Sequence, residues 1–234
     1  MPRTIAISDI HGCLAALDKL LELIDPQPQD TLVGMGDYVD RGPQSRGVLE
    51  RLMSLEGQTH LVPLLGNHDE MMLAVCEGRE DLAADWLVFG GEATLASYGA
   101  ASAADVARQF PAHLDFIRRC RLFYETPRHF FVHGNYVAEL PLDQQPRQTL
   151  LWKSLKCGPP GPHGSGKTAI VGHTAQKNCE VLDLGYLKCI DTRCYGAGWL
   201  TALEPETGRL WQVDKEGRGR AEGGGRKGEG GPQE

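Results

Sequence analysis

Six residues in this 234-residue sequence have side chains suited to holding divalent cations: Asp9, His11, Asp37, Asn67, His133 and His173. Their oxygen and imidazole donors suit manganese, iron and zinc alike, so the chemistry open to them is that of bound metal ions. They follow five strand-like apolar runs: Ile5-Ala6-Ile7, Leu32-Val33, Pro63-Leu64-Leu65, Phe130-Phe131-Val132 and Ile170-Val171. A single Asp or His in such a position is more often a loop cap or a satisfied polar group. Five such loops in series are hard to explain that way, because loops after neighbouring parallel strands carry their side chains to one edge of a sheet.

The elements needed to position them can be read from pattern. Three successive units each consist of an apolar strand-like run, a polar loop rich in Asp, His and Gly, and a segment of helical periodicity. In the first, Thr4 to Ser8 leads to Asp9-Ile10-His11-Gly12 and then to Leu14, Leu17, Leu20, Leu21 and Ile24. Such alternation predicts an α/β fold. Residues 78–121 turn Ala-rich and helix-like, with Trp86, Leu87, Phe89, Leu95, Tyr98, Phe110, Leu114 and Phe116, and are expected to form a helical cap. Strand signals return at His129–Val132, Thr168–Val171, Glu180–Leu182, Leu187–Ile190, Trp199–Leu203 and Leu210–Val213, which predicts a second sheet packed on the first. Residues 1–214 thus form one domain. The charged, Gly-rich run 215–234 cannot bury enough surface to offset its ordering entropy and is expected to be disordered.

Composition narrows the function. The formal charge of -7 and the lack of a basic stripe interleaved with aromatics exclude a general nucleic-acid surface. Seven scattered cysteines with no Cys-x-x-Cys pair read as reduced thiols. No membrane-length apolar run and no leader pattern occur, so a cytoplasmic protein with no membrane partner is expected.

Asp9-Ile10-His11-Gly12, Gly36-Asp37-Tyr38-Val39-Asp40-Arg41-Gly42, Gly66-Asn67-His68-Asp69, His133-Gly134 and Gly172-His173 together resemble the signature series of the metallophosphoesterase superfamily. The second motif resembles the serine/threonine protein phosphatases in particular, in their compact bacterial and phage form. The resemblance implies a four-layer α/β sandwich of two packed sheets flanked by helices. It also implies two metal ions, manganese being expected and iron or zinc also suiting the ligands. Asp9 and His11 would bind the first ion, Asn67, His133 and His173 the second, and Asp37 both; the pair would generate a bridging hydroxide that attacks phosphorus. His68 would be the general acid and Asp40 the carboxylate that orients it. Arg41 would clamp phosphoryl oxygens, aided by Asn67. This chain departs from many eukaryotic-type members in having Asp69 where they have Glu. It also lacks their second phosphate-binding Arg, and Lys153 is the expected substitute, supplying charge without a bidentate fork.

Two motifs are decoys. Gly161-Pro162-His163-Gly164-Ser165-Gly166-Lys167-Thr168 fits the phosphate-binding loop pattern, but Gly158-Pro159-Pro160 precedes it and β-like Ala169-Ile170-Val171 follows, whereas a true loop of this kind opens a helix. Cys189 and Cys194 lack the second pair a metal knot needs, and read as inert buried thiols. Among substrates, the intact Tyr38-Val39-Asp40-Arg41 segment favours phosphoserine and phosphothreonine in a protein or peptide. Symmetrical dinucleoside tetraphosphate hydrolysis is the alternative, to be decided by the cap. An inactive binding scaffold is disfavoured because every expected ligand is present.

Overall fold

The computed structural model describes residues 2–220. Strand β1 (Thr4–Ile7) is followed by helix α1 (Leu14–Ile24), β2 (Thr31–Gly34), α2 (Ser45–Leu55), β3 (His60–Pro63) and α3 (Asn67–Cys76). The three predicted units are therefore present. Helix α1 shows the local logic: Leu17, Leu20, Leu21 and Ile24 are buried at helical spacing. The helix stops at Asp25, which takes a left-handed conformation with Pro26 behind it.

Four further helices come next: α4 (Ala83–Trp86), α5 (Glu92–Tyr98), α6 (Ala103–Gln109) and α7 (Pro111–Arg118). The remaining elements are β4 (Phe123–Glu125), β5 (His129–Val132), α8 (Arg147–Trp152), β6 (Thr168–Val171), β7 (Leu182–Asp183), β8 (Leu187–Cys189), β9 (Leu200–Glu204) and β10 (Arg209–Val213).

The strands form two five-stranded sheets, ordered β10-β9-β1-β2-β3 and β4-β5-β6-β8-β7. In the first sheet β1, β2 and β3 run parallel with β3 at the edge, and β9 and β10 extend it antiparallel beyond β1; in the second, parallel β5, β6 and β8 are flanked by antiparallel β4 and β7. Alternation along each strand assigns every side chain to a layer. Ala6, Val33, Val62, Phe131, Ile170 and Leu203 point inward and fill the space between the sheets. Ile5, Ile7 and Leu32 point outward under the helices of the first sheet, and Phe130, Val132, Ala169 and Val171 point outward under Leu142, Leu150 and Leu155. Sheets buried on both faces explain why these strands read as unbroken apolar runs. The result is the expected four-layer α/β sandwich.

Details differ from the sequence reading. Strand β7 holds only two residues, because the Asp183 side chain accepts from Gly185 N–H (2.9 Å) and turns the chain at once into β8. Strand β4, a three-residue edge strand, gives no periodic signal at all. The segment 78–121 is helical, but it shares the core of the first sheet: Trp86, Tyr98, Val106, Leu114, Phe116 and Ile117 are buried with the residues of α1, α2 and α3. The boundary at 214 is corrected too. Residues 215–220 fold back on the sheet, since Asp214 accepts from the backbone of Glu216 and Arg218, and Arg220 donates to Glu180 at 3.0 Å. The rest of the expected disordered tail, residues 221–234, lies outside the described residues.

No helix among the described residues is long and apolar enough to cross a membrane. The Gly161–Thr168 decoy is an irregular loop running straight into β6, with no helix behind it. Its Lys167 pairs with Glu125 (2.6 Å), and its His163 is buried against Phe130 and Tyr136, at the opposite end of β6 from His173. Cys189 and Cys194 are free and buried, as expected.

Candidate metal centre

The carboxyl ends of both parallel runs meet at one place. The first sheet brings Asp9 and His11 after β1, Asp37 after β2, and Asn67 at the start of α3 after β3; the second brings His133 after β5 and His173 after β6. All six metal-ligand candidates lie at these strand ends, and four of them, His11, Asp37, His133 and His173, fall in close donor groups, whereas Asp9 belongs to neither group. Two groups of donors lie with their atoms within 4.8 Å of one another, His11–Asp37–His68 and Asp37–His133–His173, and Asp37 belongs to both. His11 Nε2 is 3.5 Å from one Asp37 oxygen and His133 Nε2 is 3.4 Å from the other.

Backbone conformation aims these groups. His11, Asp37, Asp40, Arg41 and His173 all have φ between 45° and 70°. Left-handed conformations in non-glycine residues are sparse and cluster where the surrounding structure over-determines them, commonly at functional sites.

Hydrogen bonds then fix which ring nitrogen is free. His11 Nδ1 donates to Val39 O (2.9 Å) and His133 Nδ1 to Met35 O (2.8 Å), leaving each Nε2 facing Asp37. In His173 the arrangement is reversed: Nε2 donates to Trp152 O (3.2 Å), and Nδ1 lies 2.9 Å from Asn67 Oδ1. Carbonyl partners of this kind set the tautomer of metal-binding histidines. Burial holds the three imidazoles below their ordinary pKa, His173 at about 4 with the neighbouring His133 adding to the effect. They therefore stay neutral and able to ligate.

The carboxylates tell the same story. Asp9 is buried; one oxygen accepts from the His173 backbone (2.9 Å), and the other, Oδ1, has no hydrogen-bond partner. Burial, then the nearby charges of Asp191 and Asp37, push its pKa well up. An ionised oxygen so placed is costly unless a cation faces it. For Asp37, burial acts upward, but the histidines gathered around it, His133, His68, His11 and His173, outweigh burial and hold it low. The donor set therefore fits divalent cations of the oxygen- and imidazole-loving kind.

Beside this centre stands a second constellation. His68 Nδ1 donates to Asp40 Oδ2 (2.8 Å), and Asp40 Oδ1 is fixed by Trp86 Nε1 (3.0 Å) and Thr94 Oγ1 (2.7 Å). Burial acts to lower the His68 pKa, but the Asp37 charge and the Asp40 hydrogen bond win and leave it raised. Arg41 reaches His11 Nε2 (2.8 Å) and His68 Nε2 (2.9 Å) with two nitrogens of its fork and lies 4.4 Å over the Tyr195 ring. Lys153 ends α8, exposed, and makes no hydrogen bond or ion pair among the described residues. It follows Trp152, whose carbonyl meets His173 (3.2 Å).

Several residues of the site carry no such role in the sequence reading. Asp69 is buried and ties the metal loops together: its oxygens accept from the backbone of Asp37 (2.8 Å), Tyr38 (2.9 Å) and Gly66 (3.0 Å). Burial and the Asp37 charge push its pKa up to about 7. Gly66 is required by this closeness, since a Cβ there would lie 2.1 Å from Asp37 N. Trp86, Thr94 and Tyr195 are the others. Trp86 signals itself only as an apolar residue of the cap, and nothing in the sequence marks Thr94 or Tyr195.

The profile of the calcineurin-like phosphoesterases matches residues 2–183. The chain belongs to that family. It is 50% identical over 74 residues to the symmetrical bis(5'-nucleosyl)-tetraphosphatase of Chromobacterium violaceum, covering 31% of this chain and 26% of the relative. It is 34% identical over 138 residues to that of Janthinobacterium sp. (strain Marseille), covering 58% and 44%. Serine/threonine-protein phosphatase 1 of Salmonella typhimurium is 33% identical over 135 residues, covering 56% of this chain and 58% of that one. The match therefore spans a quarter to somewhat over half of these relatives' length. In three dimensions the chain resembles a structure solved as a candidate diadenosine tetraphosphatase (TM-score 0.67, 22% identity, 95% of this chain and 97% of that one). At that identity the likeness speaks for the fold alone.

Proposed function

We propose that this metallophosphoesterase hydrolyses dinucleoside tetraphosphates at the middle anhydride, giving two nucleoside diphosphates. The observation that carries this reading is the naming of relatives up to 50% identical as symmetrical tetraphosphatases. It reverses the order of substrates that Tyr38–Arg41 suggests from sequence. Asp9, His11 and Asp37 would hold one divalent cation, and Asp37, Asn67, His133 and His173 a second, manganese being the expected metal. Bound there, two cations supply Lewis acidity at phosphoryl oxygens and lower the pKa of water.

The chain's own residues do the rest. His68, its Nδ1 held by Asp40, presents Nε2 to the leaving oxygen and delivers a proton. Arg41, stacked on Tyr195, offers its fork to the phosphoryl oxygens. Lys153, which follows Trp152, adds positive charge for the outer phosphates. The seven cysteines, none of them in a disulfide, support a reducing, cytoplasmic compartment.

A second reading, phosphoserine and phosphothreonine hydrolysis in proteins or peptides, is favoured by the Salmonella phosphatase, which is matched over a larger share of its length than the two tetraphosphatases. Diadenosine tetraphosphate and a phosphothreonine peptide, assayed side by side with manganese, separate the two. Faster cleavage of the tetraphosphate to ADP is expected; preference for the peptide overturns the first reading.

A further inference from the structure

A cleft of about 370 Å³ adjoins the metal centre and has no part in the chemistry above. It is lined by Glu70, Met71, Ala74, Leu82, Asp85, Phe89, Arg79 and Trp152. Three connections make it continuous with the catalytic groups. Along α3, residues 67, 70, 71 and 74 fall on one face at helical spacing, so the wall formed by Glu70, Met71 and Ala74 starts at Asn67. The Phe89 ring lies 6.4 Å from that of His68, edge to face. Trp152 O accepts from His173, and Trp152 Nε1 donates to Glu70 (2.8 Å), which also accepts from Arg147 (2.7 Å) and so holds the indole in place.

We infer that this cleft binds the base of the departing nucleotide, with Phe89 as its stacking platform. The tetraphosphatase reading supplies the identity of the occupant; the shape and charge of the cleft supply the rest. Phe89 is 49% exposed and its neighbour Val88 is 84% exposed, two of the four large apolar side chains so exposed among the described residues. A solvent-facing aromatic beside a general acid is poised to cover a planar ring. Glu70 is paired with Arg147 (2.7 Å) and Arg79 with Asp81 (2.7 Å), which leaves Asp85 as the unpaired charge among the described residues of the lining; its carboxylate repels phosphate, so a nucleotide would lay its phosphates toward Arg41 and its uncharged base here. Asp85 makes no ion pair or hydrogen bond among the described residues, and its oxygens can accept from the exocyclic amine of a purine. Because the cleft adjoins His68, its occupant is the group that leaves.

The test compares ADP with ribose 5-diphosphate, which lacks only the base, as inhibitors of p-nitrophenyl phosphate hydrolysis by the metal-loaded enzyme. Using the ratio of inhibition constants removes any effect of a variant on the assay substrate. In the wild type ADP should bind at least about tenfold more tightly, the worth of one stacked base. Phe89→Ala should bring the ratio close to one, and Phe89→Tyr should keep it. A wild-type ratio near one, or a ratio that Phe89→Ala leaves intact, overturns the cleft. Cleavage of diadenosine tetraphosphate is read separately. Its absence alongside a high ratio refutes the proposed reaction and not the cleft; its presence with a ratio near one does the reverse.

Discussion

His68 stands between two roles, and single substitutions distinguish them. Its Nε2 lies close enough to His11 and Asp37 to count as a metal donor, yet its Nδ1 is committed to Asp40, the arrangement of an oriented proton carrier. If the second description is right, His68→Asn should lower kcat by about 10²- to 10³-fold while metal content, measured by atomic emission, stays unchanged. Loss of one metal equivalent would make His68 a ligand. Asp69 has the opposite profile: it belongs to neither close group of metal donors, but its two oxygens collect backbone N–H groups from the loops after β2 and β3. Asp69→Asn replaces one acceptor oxygen by a donor facing other donors. Stability should fall by about 1–3 kcal/mol, read as a lower urea midpoint at constant slope, and metal affinity should weaken with it.

At the level of elements, the helices over 78–121 act less as a lid than as a clamp on the loop after β2. Trp86 and Thr94 fix Asp40, and Gly90 O accepts from Arg41 N–H (3.3 Å). Gly90 has φ 120°, a conformation side-chain-bearing residues rarely adopt, and a Cβ there would lie 2.6 Å from Arg41 N. Gly90→Ala should therefore displace Arg41 and cut kcat/KM more than it lowers Tm, whereas Gly99→Ala should do the reverse. Gly99, also at positive φ, has nothing within 4 Å of such a Cβ, and so tests strain without the collision. This clamp was illegible in the sequence for a physical reason. Trp86 and Thr94 reach Asp40 across 46 and 54 residues, and their types are as usual in a packed helix as in a site. The strand-end motifs were legible because metal binding constrains residue type directly, and the β1-α1-β2-α2-β3 order because its hydrophobic period changes at each loop. Edge strand β4 was missed because three residues, two half-buried and one exposed, carry no period.

Across the whole molecule, the metal centre is a joint between the two sheets. The first contributes Asp9, His11, Asp37 and Asn67, the second His133 and His173, and the inner faces meet through Ala6, Val33, Phe131 and Ile170. A cation held by both halves binds the folded chain and not the unfolded one, so it stabilises by mass action, by about 2.7 kcal/mol at a hundred times its Kd. For a domain of this size that raises Tm by about 5–10 °C. The gain must depend on pH. Burial raises the carboxyls of Asp69 to about 7 and Asp191 to about 6, and also raises Asp9, above their ordinary value near 3.8. In the metal-free fold these groups hold protons that the unfolded chain has already lost, so their ionisation costs stability as pH climbs from about 4 to about 7. A cation favours the ionised carboxylates and relieves that cost, but at low pH it must first displace the protons. The lowered histidines do not oppose this sign, since any proton that His11, His133 or His173 still holds must also leave before a cation binds. The Tm gap between manganese-loaded and chelator-treated protein should therefore widen from pH 5.0 to pH 7.5 (about 2.5 decades in proton concentration), with protons released on binding. Differential scanning fluorimetry measures the first, and titration calorimetry in buffers of different ionisation enthalpy the second. A gap that stays constant or narrows over that range would mean that cations bind away from these buried carboxylates, and the joint between the sheets would have to be held by something other than metal.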